Sequence, residues 1–594
     1  MSRSPKPRIS TEQQAASRRE TSRLAVQGFL NTLVIITLVL SIVSLFLEQA
    51  ELTQPAILIL IQVIDFLLTA LIITELVVDI SSAPYMSGYI RRNLFSIGFL
   101  GLYIVLFIYN KYLYFAGIQD NQGFNAAVII VVRNFFLVFK VFGRIRRIST
   151  FLNNLTVHPA QTLVLSFIMV ILTGTFYLML PFTTRDGLGL NFIDALFTTT
   201  SAVCVTGLIV VDTASHFTVL GQVGILVLIQ IGGLGIMILS YFAIVTLRRS
   251  IGIHDKVLLA YMINEDDMRQ IAGGLRKIIL LTFGIELVGA LILFLGFIIH
   301  GLPTGQSIWF GVFHAISAFC NAGFALFTDS LEGFRHSLLI SGGIALLIIL
   351  GGLSFAVMTN LIRWSGLSKI RERLTLNSRV VLVMTGVLIL LGMVVFYALE
   401  HGSVMAEYNL GEQYLAAFFQ SVTLRTAGFN TVPMAPLGPS VTLIMIIWMF
   451  IGGASGSTAG GIKVNTAAVI LAYIRSRFRG EEQVLIGGAA IDSRTGTNAL
   501  LLFVFGIVAV LGGLLVLLIT ESGPFLDLLF ETVSAFGTVG LSRGITGDLT
   551  DPGRVVVSLL MFMGRLGPLT LLTALGTRVN PSRIIYPEKE LMIG

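Results

Sequence analysis

Four glycines, at positions 207, 323, 428 and 540, each close a polar or small-residue stretch set between two long apolar runs. This recurrence restricts the fold more than any other feature of the chain. Ten residues before each glycine stands a phenylalanine (Phe197, Phe313, Phe418, Phe530), and six before stand Ser201, Ser317, Val422 and Ser534. The residue that follows is Leu208, Phe324, Phe429 or Leu541, always large and apolar. The glycines lie 116, 105 and 112 residues apart. Self-similarity held in register marks a repeat architecture. Each unit reads long apolar helix, short amphipathic helix, glycine segment, long apolar helix.

The flanking runs set the solvent. Stretches 27–47, 278–299, 380–398 and 496–519 are uncharged or nearly so and long enough to cross a bilayer. Only 12% of the residues are charged, against about 25% in a soluble protein. The chain is thus predicted to be an all-α, multi-pass membrane protein. Its net charge of +7 does not point to nucleic acid, because the basic residues sit in short loops between spans. Arg91, Arg92, Arg144 to Arg147, Arg248, Arg249, Arg371, Arg373, Arg475 to Arg479, Arg578 and Arg583 follow the positive-inside bias. Both termini are therefore expected in the cytoplasm of a cell with this protein in its inner membrane. The first 22 residues are polar, lack the flanks of a cleaved signal sequence and are expected to be disordered. Cys204 and Cys320 are too few for a disulfide framework. Each sits three residues before a glycine, as a small residue beside a short helix.

A short helix of about 12 residues cannot cross a bilayer and return. It must be re-entrant, and irregular backbone at that depth is tolerated only where protein buries it or it lines a watery path. The four segments are Val203, Cys204, Val205, Thr206, Gly207; Phe319, Cys320, Asn321, Ala322, Gly323; Leu424, Arg425, Thr426, Ala427, Gly428; and Phe536, Gly537, Thr538, Val539, Gly540. Apart from Arg425 they carry no charge, so their ligands are backbone carbonyls and a few hydroxyl or amide groups. A ring of carbonyls replaces the hydration shell of a monovalent cation, and glycine permits the close approach this needs. The pattern predicts four quarters of one selectivity filter around a single axis.

The second long helix of each unit carries small residues, as IGGLG at 231–235, LGGLS at 350–354, IGGAS at 451–455 and MGRLG at 563–567. The third is extreme: Gly452, Gly453, Gly456, Gly460 and Gly461, with Ser455, Ser457 and Thr458 among them and Lys463 just beyond. Glycine costs roughly 1 kcal/mol relative to alanine inside a helix, so a loop within the membrane is expected here, able to block a cation path and swing aside. Arg565 falls mid-span between Val555 and Leu575. An arginine at that depth faces a bundle interior or aqueous path, and Arg565 is expected to act as a barrier and as an anchor for the loop. Lys463 either joins the gate or snorkels to the cytoplasmic face.

From about residue 157 to 585 the chain resembles the Trk/Ktr/HKT superfamily of potassium transporters, and within it the membrane subunit of bacterial uptake systems. The resemblance rests on TTTSAVCVTGL, SAFCNAGF, SVTLRTAGFNT, SAFGTVGLS, GGASGSTAGGIK and GRLGPLT. It implies channel-like passage of K+, with the four glycines as filter glycines. In relatives that favour sodium the first of them is often serine, so four glycines imply potassium. It also implies an intramembrane gating loop, a homodimer, and a separate cytoplasmic nucleotide-binding ring subunit, with K+ as the transported ion and no organic cofactor in this chain. The boundaries that follow are 1–22 for the terminus, 23–150 for an added helical domain, then units 151–255, 256–370, 371–482 and 483–594.

The added domain holds four further spans, near 26–47, 56–80, 93–112 and 124–145. The second carries Asp65, Glu75 and Asp79, and the fourth carries Arg133, Lys140, Arg144 and Arg147 near one helical face. Acids facing bases resemble the layout of a voltage-sensor-like four-helix domain. The series is broken, however, with Phe136 and Leu137 where another arginine is expected. One charge crossing the whole field yields ~2.3 kcal/mol per 100 mV, so one or two deep charges bias a gate only modestly. The pattern favours a degenerate version that packs against the pore or helps build a dimer.

Competing classes remain. A sodium- or proton-coupled symporter would want acids in the substrate path and usually inverted repeats, whereas these units run parallel and their glycine segments hold no carboxylate. A less selective Na+/K+ transporter stays open. Asp194 is read as the cap of the first short helix. Seven histidines with no paired metal spacing, and no nucleophile–base pair, argue against an enzyme. His216 and His314 read as isolated helix or surface residues.

Overall fold

A computed structural model describes Thr74 and residues 159–235, 271–366, 372–481 and 483–567. The chain divides into two compact units, Met1–Phe151 and Leu152–Gly594, and all described residues but Thr74 fall in the second. The expected N-terminal spans, with Asp65, Glu75, Asp79, Arg133, Lys140, Arg144 and Arg147, lie outside the described residues.

Within the second unit the same three-helix pattern recurs four times. Unit one comprises α1 (Pro159–Leu178), the short α2 (Phe192–Val203) and α3 (Val219–Leu234). Unit two has α4 (Ile271–Ile299), short α5 (Thr304–Phe319) and α6 (Gly343–Gly352), continued by α7 (Phe355–Trp364). Unit three has α8 (Leu376–Glu400), short α9 (Leu410–Thr423), α10 (Pro439–Met449) and, after the glycine-rich loop, α11 (Val464–Phe478). Unit four has α12 (Ser493–Thr520), short α13 (Phe525–Gly537) and α14 (Asp551–Leu566).

Among the described residues, three helices are long and apolar enough to cross a membrane: Ile278–Ile299, Leu376–Glu400 and Thr495–Thr520. They coincide with three of the apolar runs predicted from sequence. Leu280, Leu287, Leu291 and Leu295 of α4 are all more than half exposed. A contiguous apolar stripe of that kind is untenable in water and natural against acyl chains. The interior is closed by phenylalanines, with Phe197, Phe297, Phe313, Phe319, Phe419, Phe429 and Phe530 among the fully buried side chains.

The helix that follows each glycine segment is interrupted, in unit three at the glycine-rich stretch where a loop is expected and in the other units at their small residues as well. α3 ends at Leu234 with Gly235 at φ 79°, and α14 ends at Leu566 with Gly567 at φ 78°. In unit two the helix pair on either side of Leu353 and Ser354 bends by 104°. Ser354 restarts it, its hydroxyl accepting from the Val357 amide at 3.3 Å. In unit three the helix stops at Met449 and resumes at Val464.

Two expectations need correction. The chain is not wholly α-helical: Val484–Ile486 (β1) and Ala489–Ile491 (β2) form an antiparallel hairpin. Its turn is Gly487 and Gly488, both at positive φ (58° and 85°), which two-residue hairpin turns require. The register of unit three also differs. Phe418 is only partly buried whereas Phe419 is fully enclosed. The enclosed phenylalanine there stands nine residues before its glycine instead of ten, so Phe419 and Thr423, not Phe418 and Val422, correspond to Phe197 and Ser201.

Candidate ion-coordinating site

The glycine segments begin where the short helices run out of backbone partners. In unit one the amide of Val205 donates to Ala202 O (3.1 Å) and that of Thr206 to Ser201 O (2.8 Å). The Gly207 amide donates to Ser201 Oγ (3.0 Å). Unit four repeats this: Thr538 to Ala535 O (3.0 Å), Val539 to Ser534 O (2.8 Å), and Gly540 to Ser534 Oγ (3.1 Å). In unit two Asn321 donates to Ala318 O (3.0 Å) and Ala322 to Ser317 O (2.7 Å). In unit three Ala427 donates to Thr423 O (3.0 Å). Thr423 Oγ1 donates to Phe429 O (2.6 Å), as Ser317 Oγ does to Phe324 O (2.8 Å). This pair of bonds confirms the one-residue shift.

A trans peptide points its N–H and C=O opposite ways. Amides turned back onto the short helix therefore turn the intervening carbonyls away from it. Their conformation is special. Among the described residues, five non-glycine residues have positive φ, and four of these stand two before the glycines: Val205 (57°), Asn321 (60°), Thr426 (66°) and Thr538 (51°). Three are β-branched, for which such a conformation costs about 1–3 kcal/mol each. Strain repeated at equivalent places marks a constraint that the backbone path imposes. The glycines themselves sit at φ 99°, 71°, 79° and 92°.

The four segments close on each other. A Cβ on Gly207 would lie 2.5 Å from Ala322 O; on Gly323, 2.8 Å from Ala427 O; on Gly428, 2.6 Å from Val539 O; on Gly540, 2.0 Å from Thr206 O. Each glycine thus admits the carbonyl of the next segment, and the sequence of contacts returns to its start. The result is a ring of four backbone carbonyls and four glycines with no side chain between them.

Beneath one end of the ring lies the loop of unit three. Thr458 is its hub: its amide and hydroxyl donate to Gly351 O (3.3 and 2.9 Å), and the hydroxyl also reaches Phe319 O (3.2 Å). The Ala454 amide donates to Gly352 O (3.0 Å). Cβ atoms on Gly460 and Gly461 would meet Thr538 Oγ1 at 2.1 Å and Gly537 O at 3.2 Å. The loop stem is fixed by Gly452 N to Ile462 O (2.8 Å) and Val464 N to Gly453 O (3.0 Å). Ser455 N donates to Asn465 Oδ1 (3.2 Å), and Ser457 Oγ to Ala454 O (2.7 Å). Gly456 turns at φ 78°. Arg565 lies not mid-helix but one residue before the end of α14. Its guanidinium donates to Thr458 O in the loop and to Gly232 O in unit one. It therefore joins three units beneath the ring. Lys463 does not snorkel: its ammonium donates back to Ala459 O within the loop.

The alignment explains how Arg565 fits. Gly233, Gly352, Gly453 and Arg565 occupy the same place in IGGLG, LGGLS, IGGAS and MGRLG.

At the far end, each seam between units carries its own clasp. Asp212 Oδ2 accepts from Thr328 Oγ1 (3.2 Å) between units one and two. Leu331 N donates to Asn430 O (3.0 Å) between two and three. Arg543 pairs with Asp527 (2.5 Å) and donates to Leu437 O (3.0 Å) and Thr442 Oγ1 (2.9 Å), tying four to three. Arg554 pairs with Asp194 (2.6 Å), tying four to one. Asp194 is thus not the cap of α2. That role belongs to Asn191, whose side chain accepts from the Asp194 amide (2.9 Å).

With this geometry in place the comparisons are decisive. The sequence profile of TrkH, described as a cation transport protein, matches residues 129–582. The chain belongs to the TrkH family. Relatives in the family include the Ktr system potassium uptake protein B of Bacillus subtilis (strain 168), 37% identical over 73% of this chain and 97% of the relative. The protein of the same name from Vibrio alginolyticus is 38% identical over 73% and 94%. The potassium/sodium uptake protein NtpJ of Enterococcus hirae is 36% identical over 73% and 97%. The crystal structure of the potassium transporter TrkH from Vibrio parahaemolyticus shares the fold, with a TM-score of 0.58 and 17% identity over 82% of this chain and 97% of that one. As a TrkH-family member the chain is a multi-pass membrane protein of a transporter family, not an enzyme.

Sequence reasoning missed the buried Glu286 and Glu531 of this TrkH-family member. Arg425, whose charge the sequence showed, is 3% exposed, and its Nε and Nη2 make no hydrogen bond. Glu286, 4% exposed inside α4, accepts from Gln230 Nε2 at 3.0 Å. Glu531 and His314 are fully buried in their short helices, which corrects the reading of His314 as an isolated or surface residue. Cys204 and Cys320 are buried, unpaired, and close the first two short helices as expected.

Proposed function

We propose that this chain is the membrane subunit of a potassium uptake system, passing K+ in channel-like fashion through the ring of glycine segments. The observation that carries the reading is the closed ring itself. Four carbonyls, from Thr206, Ala322, Ala427 and Val539, stand against four glycines with no side chain intruding. Carbonyl dipoles suit a dehydrated monovalent cation, and the names of the relatives support potassium. On this reading the four helical units are pore repeats, and 203–207, 319–323, 424–428 and 536–540 form the selectivity filter. The loop 452–463 is the gate, latched by Arg565 through Thr458.

The clasp at every seam on the far side of the filter supports a fixed outer half, with motion confined to the loop. Alternating access would have to break those clasps in turn. A homodimer, a cytoplasmic nucleotide-binding partner subunit, cytoplasmic termini in a bacterial inner membrane and an N-terminal voltage-sensor-like domain complete the proposal. A second reading, a less selective Na+/K+ transporter, is favoured by the name of the Enterococcus hirae relative.

The test is a bilayer recording of the purified protein with K+ on one side and Na+ on the other. A reversal potential near that for potassium supports a selective passive pore. A reversal near zero favours the second reading. If no current flows, adding a candidate cytoplasmic partner separates a closed gate from coupled transport.

A further inference from the structure

The residue after the buried phenylalanine of each short helix is Thr198, His314, Gln420 or Glu531, and all four are buried behind the glycine segments. They are not equivalent. In unit two His314 Nδ1 lies 2.7 Å from Phe310 O, and the Leu326 amide donates to Nε2 at 3.1 Å. The ring thus carries its proton on Nδ1 and ties the short helix to the chain three residues past Gly323. It is held flat by Phe327, stacked at 5.1 Å. In unit four Glu531 Oε1 accepts from Thr546 Oγ1 at 2.5 Å. That ties α13 to the chain six residues past Gly540. In units one and three, by contrast, Thr198 Oγ1 and both polar atoms of Gln420 make no hydrogen bond. The helix starts alternate in the same sense, with Asn191 and Asn409 capping units one and three, and Pro303 and Pro524 standing at the starts in two and four.

We propose that His314 and Glu531 are positioning residues that brace the two opposite quarters of the ring, so that ion discrimination depends on units two and four more than on one and three. The order of contacts around the ring, one to two to three to four and back, sets units two and four across from each other. A short helix and its returning chain that are cross-linked hold the intervening carbonyls at a set spacing. Units one and three, held only by the Ser201 and Thr423 bonds beside their glycines, can relax around an ion of different size. This inference rests on the reading of the ring as a potassium filter.

The experiment is the K+/Na+ permeability ratio from reversal potentials, read on the full chain. Glu531→Ala and Thr546→Val should each lower the ratio by about fivefold, the equilibrium weight of one ordinary hydrogen bond. The double variant should fall no further than either single one. Glu531→Gln and Thr546→Ser retain the acceptor and the donor and should stay within about twofold of the parent ratio. Thr198→Val, at the equivalent unbraced position, should leave it unchanged. If Glu531→Ala fails to assemble, the two Thr546 variants decide, since equal ratios for Val and Ser overturn the proposal. Conduction by Glu531→Ala or Thr546→Val with the parent ratio also overturns it. A parent protein that does not discriminate K+ from Na+ refutes the potassium reading instead, and the two failures are distinct.

Discussion

Replacing Arg565 isolates the latch. Its guanidinium holds the loop through Thr458 O and the wall of unit one through Gly232 O. On the proposed gating role of the loop, only the first of these bonds must break for it to swing. A hydrogen bond to a charged group contributes about 1.5–3 kcal/mol, and each 1.4 kcal/mol is a factor of about ten. Arg565→Ala should therefore shift the loop toward open by roughly ten- to a hundredfold, less what the Thr458 contacts to Gly351 and Phe319 retain. Two conservative variants separate the latch from a purely electrostatic barrier. Arg565→Lys keeps the charge but cannot span two carbonyls as the guanidinium fork does, and Arg565→Gln keeps one donor and loses the charge. A latch predicts that Lys and Gln both fall between Arg and Ala. A barrier alone predicts Lys equal to Arg and Gln equal to Ala. The assay is rubidium influx into proteoliposomes at matched protein content. Unchanged influx for Arg565→Ala in assembled protein refutes the gating role altogether.

Three further outcomes follow from the same geometry. Gly540→Ala places a Cβ 2.0 Å from Thr206 O at a φ of 92°, so it should abolish selective K+ influx while leaving the protein extractable as a folded species. Arg543→Ala removes a partly buried pair with Asp527 and the bonds to Leu437 and Thr442. It should cost about 2 kcal/mol, seen as a fall of the thermal unfolding midpoint in detergent. Burial and the nearby Asp329 push the Glu332 carboxyl, outside the spans, above the usual carboxylate range. A group raised on folding contributes stability below its unfolded value and loses it as pH climbs through the folded one. Glu332→Gln should therefore flatten the decline in thermal midpoint as pH rises above about 4.3, the unperturbed glutamate value.

Much of this was legible in the letters, and the reasons it stopped are specific. Recurrence of glycine between apolar runs foretells segments that meet, because the steric need for glycine is local and survives in sequence. The five glycines of 452–461 foretell a helix that cannot continue. The slip in unit three was invisible to a count back from Gly428, since Phe418 and Phe419 are adjacent and only burial tells them apart. Left-handed Val205, Thr426 and Thr538 contradict the preference of β-branched residues, so no propensity foretells them; the ring imposes them. His314 and Glu531 were visible as residue types, but their partners Leu326 and Thr546 depend on how the chain folds back after each glycine. The match of Arg565 to Gly233, Gly352 and Gly453 was legible from the aligned pentapeptides alone.

The ring can be tested without recording a current. Crystals grown with Rb+ in place of K+, and measured for anomalous scattering of that ion, locate it directly. The account predicts a peak on the axis, ringed by the carbonyls of Thr206, Ala322, Ala427 and Val539. No peak there, or one held by side-chain carboxylates such as Glu286, would contradict the claim that backbone carbonyls of the four glycine segments coordinate the ion.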